Sequence, residues 1–190
     1  MNSNKILILK GSPRENGNSS VLANQVAKGA RDSGAHIESY QLHNMNIQPC
    51  DACDFCKGLG EGNCMVEDDM QILYPNLLTA DSIVLASPIY WFTMSAQMKL
   101  CIDRWYALEG PEGYLLSGKR FGIVLTYGDT DPYTSGAINA IRTFQDMLRY
   151  LNAKLVGVVY GSAEEAGEIQ KQQIILEQAY NLGQTLAIGN

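Results

Sequence analysis

The 190-residue chain has only two histidines, His36 and His43, and neither belongs to a serine, histidine and aspartate grouping or a cysteine and histidine grouping. That argues against triad-type nucleophilic catalysis and leaves both as surface or packing residues. A basic cluster is also missing. Fourteen lysines and arginines against 20 acidic residues give a formal charge of −6, which speaks against nucleic acid or an anionic membrane surface as the main partner. No apolar run reaches membrane-spanning length, and the opening MNSNKILILKG lacks a charged leader followed by a separate apolar segment. A cytoplasmic protein is expected. Internal repeats and low-complexity tracts are absent, and the length suits a single domain over residues 1–190.

What is present alternates between strand-like and helix-like segments, the pattern of an α/β fold. The run Ile6 to Leu9 has no polar alternation, so it reads as a central strand covered on both faces. Four more strands are expected at His36 to Leu42, Ser82 to Ala86, Arg120 to Thr126 and Lys154 to Tyr160. Helices should follow: one closing near Gly34, one after Asp68 and Asp69 that Pro75 kinks or divides, one through Met98, Ile102 and Trp105, and one from Ile138 to Leu151. Glu165 to Ala187 should form a last helix. Right-handed crossovers then give a doubly wound five-stranded parallel sheet, most simply in the order 2-1-3-4-5. Ligands of such sheets bind outside the carboxyl ends of the strands, where the loops Gly11 to Ser20, Ser87 to Ser95 and Tyr127 to Thr134 meet.

The first loop, GSPRENGNSS, leads from a buried strand into a helix start, with Asn18, Ser19 and Ser20 as N-cap types. Free backbone N–H groups at the positive end of a helix, the hydroxyls of Ser12, Ser19 and Ser20, the Asn18 amide and the Arg14 guanidinium together suit a small terminal monophosphate. An ordinary helix-capping loop is the alternative. The second loop carries Pro88, Ile89, Tyr90, Trp91 and Phe92 where polar residues are usual, so the aromatics need a flat apolar partner, a neighbouring loop or a subunit contact. A tricyclic flavin ring would satisfy them. Tyr127, Gly128 and Asp129 in the third loop offer close backbone approach and polar groups for a pyrimidine edge. Phosphate seat, aromatic platform and polar edge at one end of one sheet specify FMN.

Four of the five cysteines crowd the long loop at about residues 47–66: Cys50, Cys53, Cys56 and Cys64, separated by two, two and seven residues. In an intracellular chain such crowding points to metal ligation or redox work. A [4Fe-4S] cluster, a zinc site, free thiols and adventitious disulfides all remain open on spacing alone. Cys101 lies in an apolar helix and reads as core, while Asp103 and Arg104 read as a structural ion pair or interface contact.

GSPRENGNSS, ASPIYWFTMSAQMKLCIDRW and the order of elements resemble the flavodoxin-like NADPH-dependent FMN reductase superfamily over nearly the whole chain. The stretch PCDACDFCKGLGEGNCMVEDDM resembles its iron-sulfur flavoprotein branch. The resemblance implies a flavodoxin-like fold in which Ser12, Arg14, Asn18, Ser19 and Ser20 bind the FMN phosphate. It implies that Pro88 through Phe92 line the ribityl chain and ring, with Tyr127, Gly128 and Asp129 on the third side. It also implies that Cys50, Cys53, Cys56 and Cys64 hold a [4Fe-4S] cluster, and that the protein is a homodimer or homotetramer. The resulting expectation is an oxidoreductase passing electrons from NAD(P)H through FMN to a small-molecule acceptor, such as a quinone or free flavin, or to a redox protein. The flavin carries the chemistry, so no catalytic side chain is assigned. A non-enzymatic electron carrier is the rival.

Overall fold

A computed structural model describes residues 4–189, so the first three residues of the N-terminal reading lie outside it. Its strands are β1 (Lys5–Lys10), β2 (His36–Gln41), β3 (Ser82–Tyr90), β4 (Thr93–Met94), β5 (Glu109–Gly110), β6 (Gly113–Tyr114), β7 (Arg120–Tyr127) and β8 (Lys154–Ser162). The helices are α1 (Asn18–Asp32), α2 (Met70–Thr79), α3 (Ala96–Asp103), α4 (Ala137–Tyr150) and α5 (Gln173–Ala187). The long strands pair in parallel in the order β2-β1-β3-β7-β8, which is 2-1-3-4-5 when those five alone are counted. β4 turns back on the end of β3, and β5 and β6 form a separate hairpin; the sequence pattern indicated neither.

Ile6 through Leu9 are almost completely buried because successive side chains of β1 enter opposite layers. Ile6 and Ile8 join Leu22, Val26, Ala179 and Leu186 under α1 and α5. Leu7 and Leu9 join Leu73, Leu77, Met98 and Phe144 under α2, α3 and α4. α1 and α5 cross at backbone contact: a Cβ on Gly29 would lie 2.0 Å from the Tyr180 carbonyl oxygen, and one on Gly183 would lie 2.0 Å from that of Val26. No helix among the described residues is long and apolar enough to cross a membrane.

Four element expectations are corrected. Gly17, not Asn18 to Ser20, caps α1, and those three form its first turn. Pro75 does not divide α2: Leu73 and Leu77 are fully buried on either side of it, and their packing outweighs the one backbone hydrogen bond that proline removes. β3 runs four residues beyond Ala86, so most of the aromatic segment is strand and hairpin rather than loop. The closing helix starts later than expected, at Gln173: Glu168–Lys171 is a 3₁₀ turn, and residues 163–167 before it are not helical, with Gly167 at φ +80.

Candidate functional site

At the carboxyl ends of the strands a cleft is walled by Ser12, Arg14, Asn18 and Ser19 on one side, by Pro88, Ile89 and Tyr90 on a second, and by Thr126, Tyr127 and Gly128 on a third. The fourth wall is Ala163, Glu164 and Ala166, from the segment after β8. An adjoining recess shares Ile89, Tyr127 and Gly128 and continues to Trp91, Phe92, Asp129, Thr134 and Ser135. Every residue expected from the three loops therefore lines one of these two connected spaces except Ser20, which is fully buried and donates from its hydroxyl to the Arg14 carbonyl at 3.3 Å.

The first loop is tightly folded. The Ser12 hydroxyl accepts from the Arg14 N–H at 3.1 Å and lies 3.0 Å from the Arg14 carbonyl oxygen, to which it can donate. A Cβ on Gly17 would fall 2.4 Å from that hydroxyl and 3.0 Å from the Arg14 carbonyl oxygen, so a side chain at the cap would displace the Ser12 hydroxyl from its bonds. The cap has no side chain to occupy the N–H groups of the first turn of α1, which face the cleft mouth. Ser19, 1% exposed, has a buried hydroxyl with no partner in the protein. A buried hydroxyl without a partner is unfavourable unless something enters to bond it. Free helix N–H groups, an orphan hydroxyl and the Arg14 cation make this a fitting anion seat.

Asn18 has a different role from the one its sequence position implied. Its amide donates to the carbonyls of Ala163 at 3.1 Å and Glu165 at 2.9 Å, and its side-chain oxygen accepts from the Ile169 N–H at 3.2 Å. With its side chain fully engaged, it pins the fourth wall to the first loop and has only its backbone N–H to offer an anion. That wall was not foreseen. A signal for it is present in GSAEEAG, a glycine-bearing segment at a strand's carboxyl end, of which the helix expectation covers only the part from Glu165.

The aromatic segment is a two-residue hairpin. Tyr90 pairs with Thr93, leaving Trp91 and Phe92 at the tip with φ of 47 and 66. Bulky residues in that left-handed region are strained by about 1–3 kcal/mol each, and at this tip Trp91 is 93% and Phe92 55% exposed. The tip is tied to α4 by Asn139, whose amide donates to the Phe92 carbonyl at 3.3 Å. Across the cleft the Tyr127 ring lies 6.5 Å from that of Tyr160, and burial raises its phenol pKa.

The four loop cysteines line a second, separate cavity together with Asp51, Asp54, Met65, Val66, Arg104, Tyr106 and Ala107. Ala52 and Asp54, on either side of Cys53, have φ of 54 and 56, and these left-handed turns curl the chain around the cavity. The loop is fastened by Lys57, which reaches the Tyr106 carbonyl at 2.7 Å and Glu109 at 2.5 Å, and by the Tyr106 hydroxyl, which donates to Asp54 at 3.0 Å. All five cysteines are free thiols. Burial pushes the Cys56 thiol up; Lys57 opposes this, while nearby Cys64 and Cys50 add to it. Among the described residues no three His, Cys, Asp or Glu side chains are gathered closely enough to hold a metal ion. A four-thiol lining on a curled loop is nonetheless a donor set suited to an iron-sulfur centre. Cys101 lies elsewhere, wholly buried in the core, its thiol pushed up to about 12 by desolvation.

Asp103 and Arg104 do not pair with each other. Asp103 meets Lys99 on the surface of α3, whereas Arg104 forms a buried ion pair with Asp68. His36 is exposed at the edge strand, and His43 contacts Gln97 at the surface.

A profile of the NADPH-dependent FMN reductase family matches residues 4–168. An iron-sulfur flavoprotein of Methanocaldococcus jannaschii is 30% identical over 96% of this chain and 95% of its own. An FMN-dependent NADH:quinone oxidoreductase of Shewanella is 28% identical over 94% and 96% respectively. In structure, an NAD(P)H:quinone oxidoreductase from Methanothermobacter marburgensis superposes over the full length of both chains with a TM-score of 0.76 at 17% identity, a likeness of fold.

Proposed function

This chain belongs to the NADPH-dependent FMN reductase family and is a flavoprotein oxidoreductase, and on that premise we propose that it passes electrons from NAD(P)H through FMN held in the four-walled cleft to a quinone or free flavin. When bound, FMN supplies the redox chemistry, accepting two electrons and releasing them singly or together. The chain's own residues do the rest. Ser19 donates its orphan hydroxyl to the phosphate, beside the first-turn N–H groups of α1, Arg14 and Ser12. Pro88 to Tyr90 line the ribityl chain, and Trp91, Phe92 and Tyr127 face the ring. Gly128 and Asp129 meet its pyrimidine edge. In the same reading Cys50, Cys53, Cys56 and Cys64 would hold a [4Fe-4S] cluster, which would supply single-electron chemistry beside the flavin. The molecule is one domain over residues 1–190, cytoplasmic, and assembled as a homodimer or homotetramer.

The observation that carries this reading is the unpartnered Ser19 hydroxyl, 1% exposed, at a helix start with an uncapped first turn. The chemistry it lacks is that of a phosphate oxygen. The test is a visible spectrum and iron assay of anaerobically purified protein, followed by NAD(P)H oxidation with and without a quinone. Flavin bands, about four irons per chain as a cubane requires, and quinone-dependent NAD(P)H oxidation are expected. Flavin without turnover would point instead to an electron carrier, and no chromophore after addition of FMN would overturn the reading.

A further inference from the structure

The cysteine cavity contains a cation that the flavin site does not use. Arg104, 1% exposed, follows α3 and sends its guanidinium to three acceptors. Nη1 donates to the Gln48 carbonyl at 2.9 Å and to the Asp68 carboxylate, while Nη2 donates to Cys64 Sγ at 3.3 Å. Asp68 is held in turn by the N–H groups of Gln48 at 2.8 Å and Met70 at 3.0 Å. The Tyr74 hydroxyl fixes the Arg104 backbone by donating to its carbonyl at 3.1 Å. Few degrees of freedom remain. A planar fork with one prong on a carboxylate and the other on a sulfur cannot be reproduced by a surface residue or by lysine.

We propose that Arg104 is a positioning residue for the four-cysteine centre: it orients Cys64 as a ligand and raises the centre's reduction potential. This rests on the iron-sulfur reading proposed above. Adding one electron to such a centre adds one negative charge over the irons and their sulfur ligands, and a charged N–H donor on a ligand sulfur favours the reduced form. The electron comes from the flavin, which NAD(P)H has reduced by hydride transfer. No bond or proton changes at Arg104, whose charge is already balanced by Asp68. Cys64 is singled out because it is the one ligand far from the others in sequence, with seven residues between it and Cys56, and the guanidinium ties it to the start of α2.

The test is an EPR-monitored redox titration of the anaerobically purified full chain, comparing wild type with Arg104→Gln and Arg104→Lys at equal iron content. The expected order of cluster midpoints is wild type most positive, Arg104→Lys intermediate because the charge is kept without the fork, and Arg104→Gln most negative. Equal midpoints in fully loaded variants would overturn the proposal. Should both variants fail to fold, wild type alone decides: with [15N]arginine, the reduced cluster should show a nitrogen hyperfine coupling. Arg104 is the arginine that lines this cavity among the described residues, so the absence of that coupling would overturn the proposal as well. Wild type without iron would instead remove the cluster reading itself, an outcome already visible in the iron assay.

Discussion

Gly136 and Phe92 are packed so closely that a Cβ on Gly136 would lie 2.5 Å from both the Cα and the Cβ of Phe92. Gly136 is also at φ +76, where any side chain is strained. Gly136→Ala should therefore push the Trp91–Phe92 tip off the start of α4. We expect a loss of about 1–3 kcal/mol, seen as a drop in Tm, together with weaker FMN binding by fluorescence titration. Full stability with unchanged affinity would mean that the tip moves freely and does not form a wall.

Ser19→Ala separates binding from folding. Removing a buried hydroxyl that has no partner should leave the flavin-free protein equally stable or slightly more so. A hydrogen bond to a charged group contributes about 1.5–3 kcal/mol, so FMN affinity should fall by roughly 10- to 100-fold. Riboflavin, which lacks the phosphate, should bind both proteins alike. An equal loss for both ligands would place the effect outside the phosphate seat.

Asn18→Ala would strand two carbonyls and one N–H of the fourth wall. An expected cost of about 1–3 kcal/mol should fall locally, so hydrogen exchange at the Ile169 amide would accelerate more than exchange in β1 or β3. Uniform acceleration would indicate a global effect and argue against a pinned wall. Asn18→Asp keeps the acceptor for Ile169 but replaces the donating amide nitrogen by a carboxylate oxygen facing two carbonyl oxygens, and should be the worse of the two.

The Arg104–Asp68 pair predicts an acid limit. Burial alone would raise the Asp68 pKa, but the hydrogen bonds from Arg104, Gln48 and Met70 overcome it and hold the carboxyl below its ordinary 3.8. The folded-state value is depressed, so the stabilisation is complete above the unfolded value of 3.8 and is lost as pH falls through the folded one. Asp68→Asn should lose about 3–5 kcal/mol at neutral pH by leaving Arg104 uncompensated. It should also flatten the stability profile in acid. A denaturation series from pH 7 to about pH 2 checks both, and an unchanged acid slope would refute the assignment.

The sheet was legible because β1 and β3 each contain a run of four apolar residues without polar alternation, Ile6 to Leu9 and Ile83 to Ala86, the pattern expected of a strand covered on both faces. The three loops followed from the strand order, and all but Ser20 of their expected residues come to the cleft. What could not be read were properties of pairs distant in sequence. Asn18 has the residue type of a phosphate ligand, but its partners are 145 to 151 positions away. Arg104 looked like the partner of its neighbour Asp103 until the fold brought Asp68 beside it. Local propensity likewise favoured a helix from Glu165, yet packing of Ile169 into the core and the Asn18 bonds hold residues 163–167 out of it.

The crossing at Gly29 and Gly183 has an evolutionary consequence. With two main chains in contact, neither position tolerates even a methyl group unless one helix shifts bodily, and both helices are tied to the cleft: α1 begins at the phosphate seat and α5 follows the fourth wall. That layer can drift only by coordinated change. The opposite layer carries α2, α3 and the cysteine loop, which lines a cavity separate from the flavin cleft and projects outward, with Leu59 91% exposed. A lineage could gain or discard its four thiols there while the flavin face stayed as it was, so diversity in redox partners should gather on one side of the sheet.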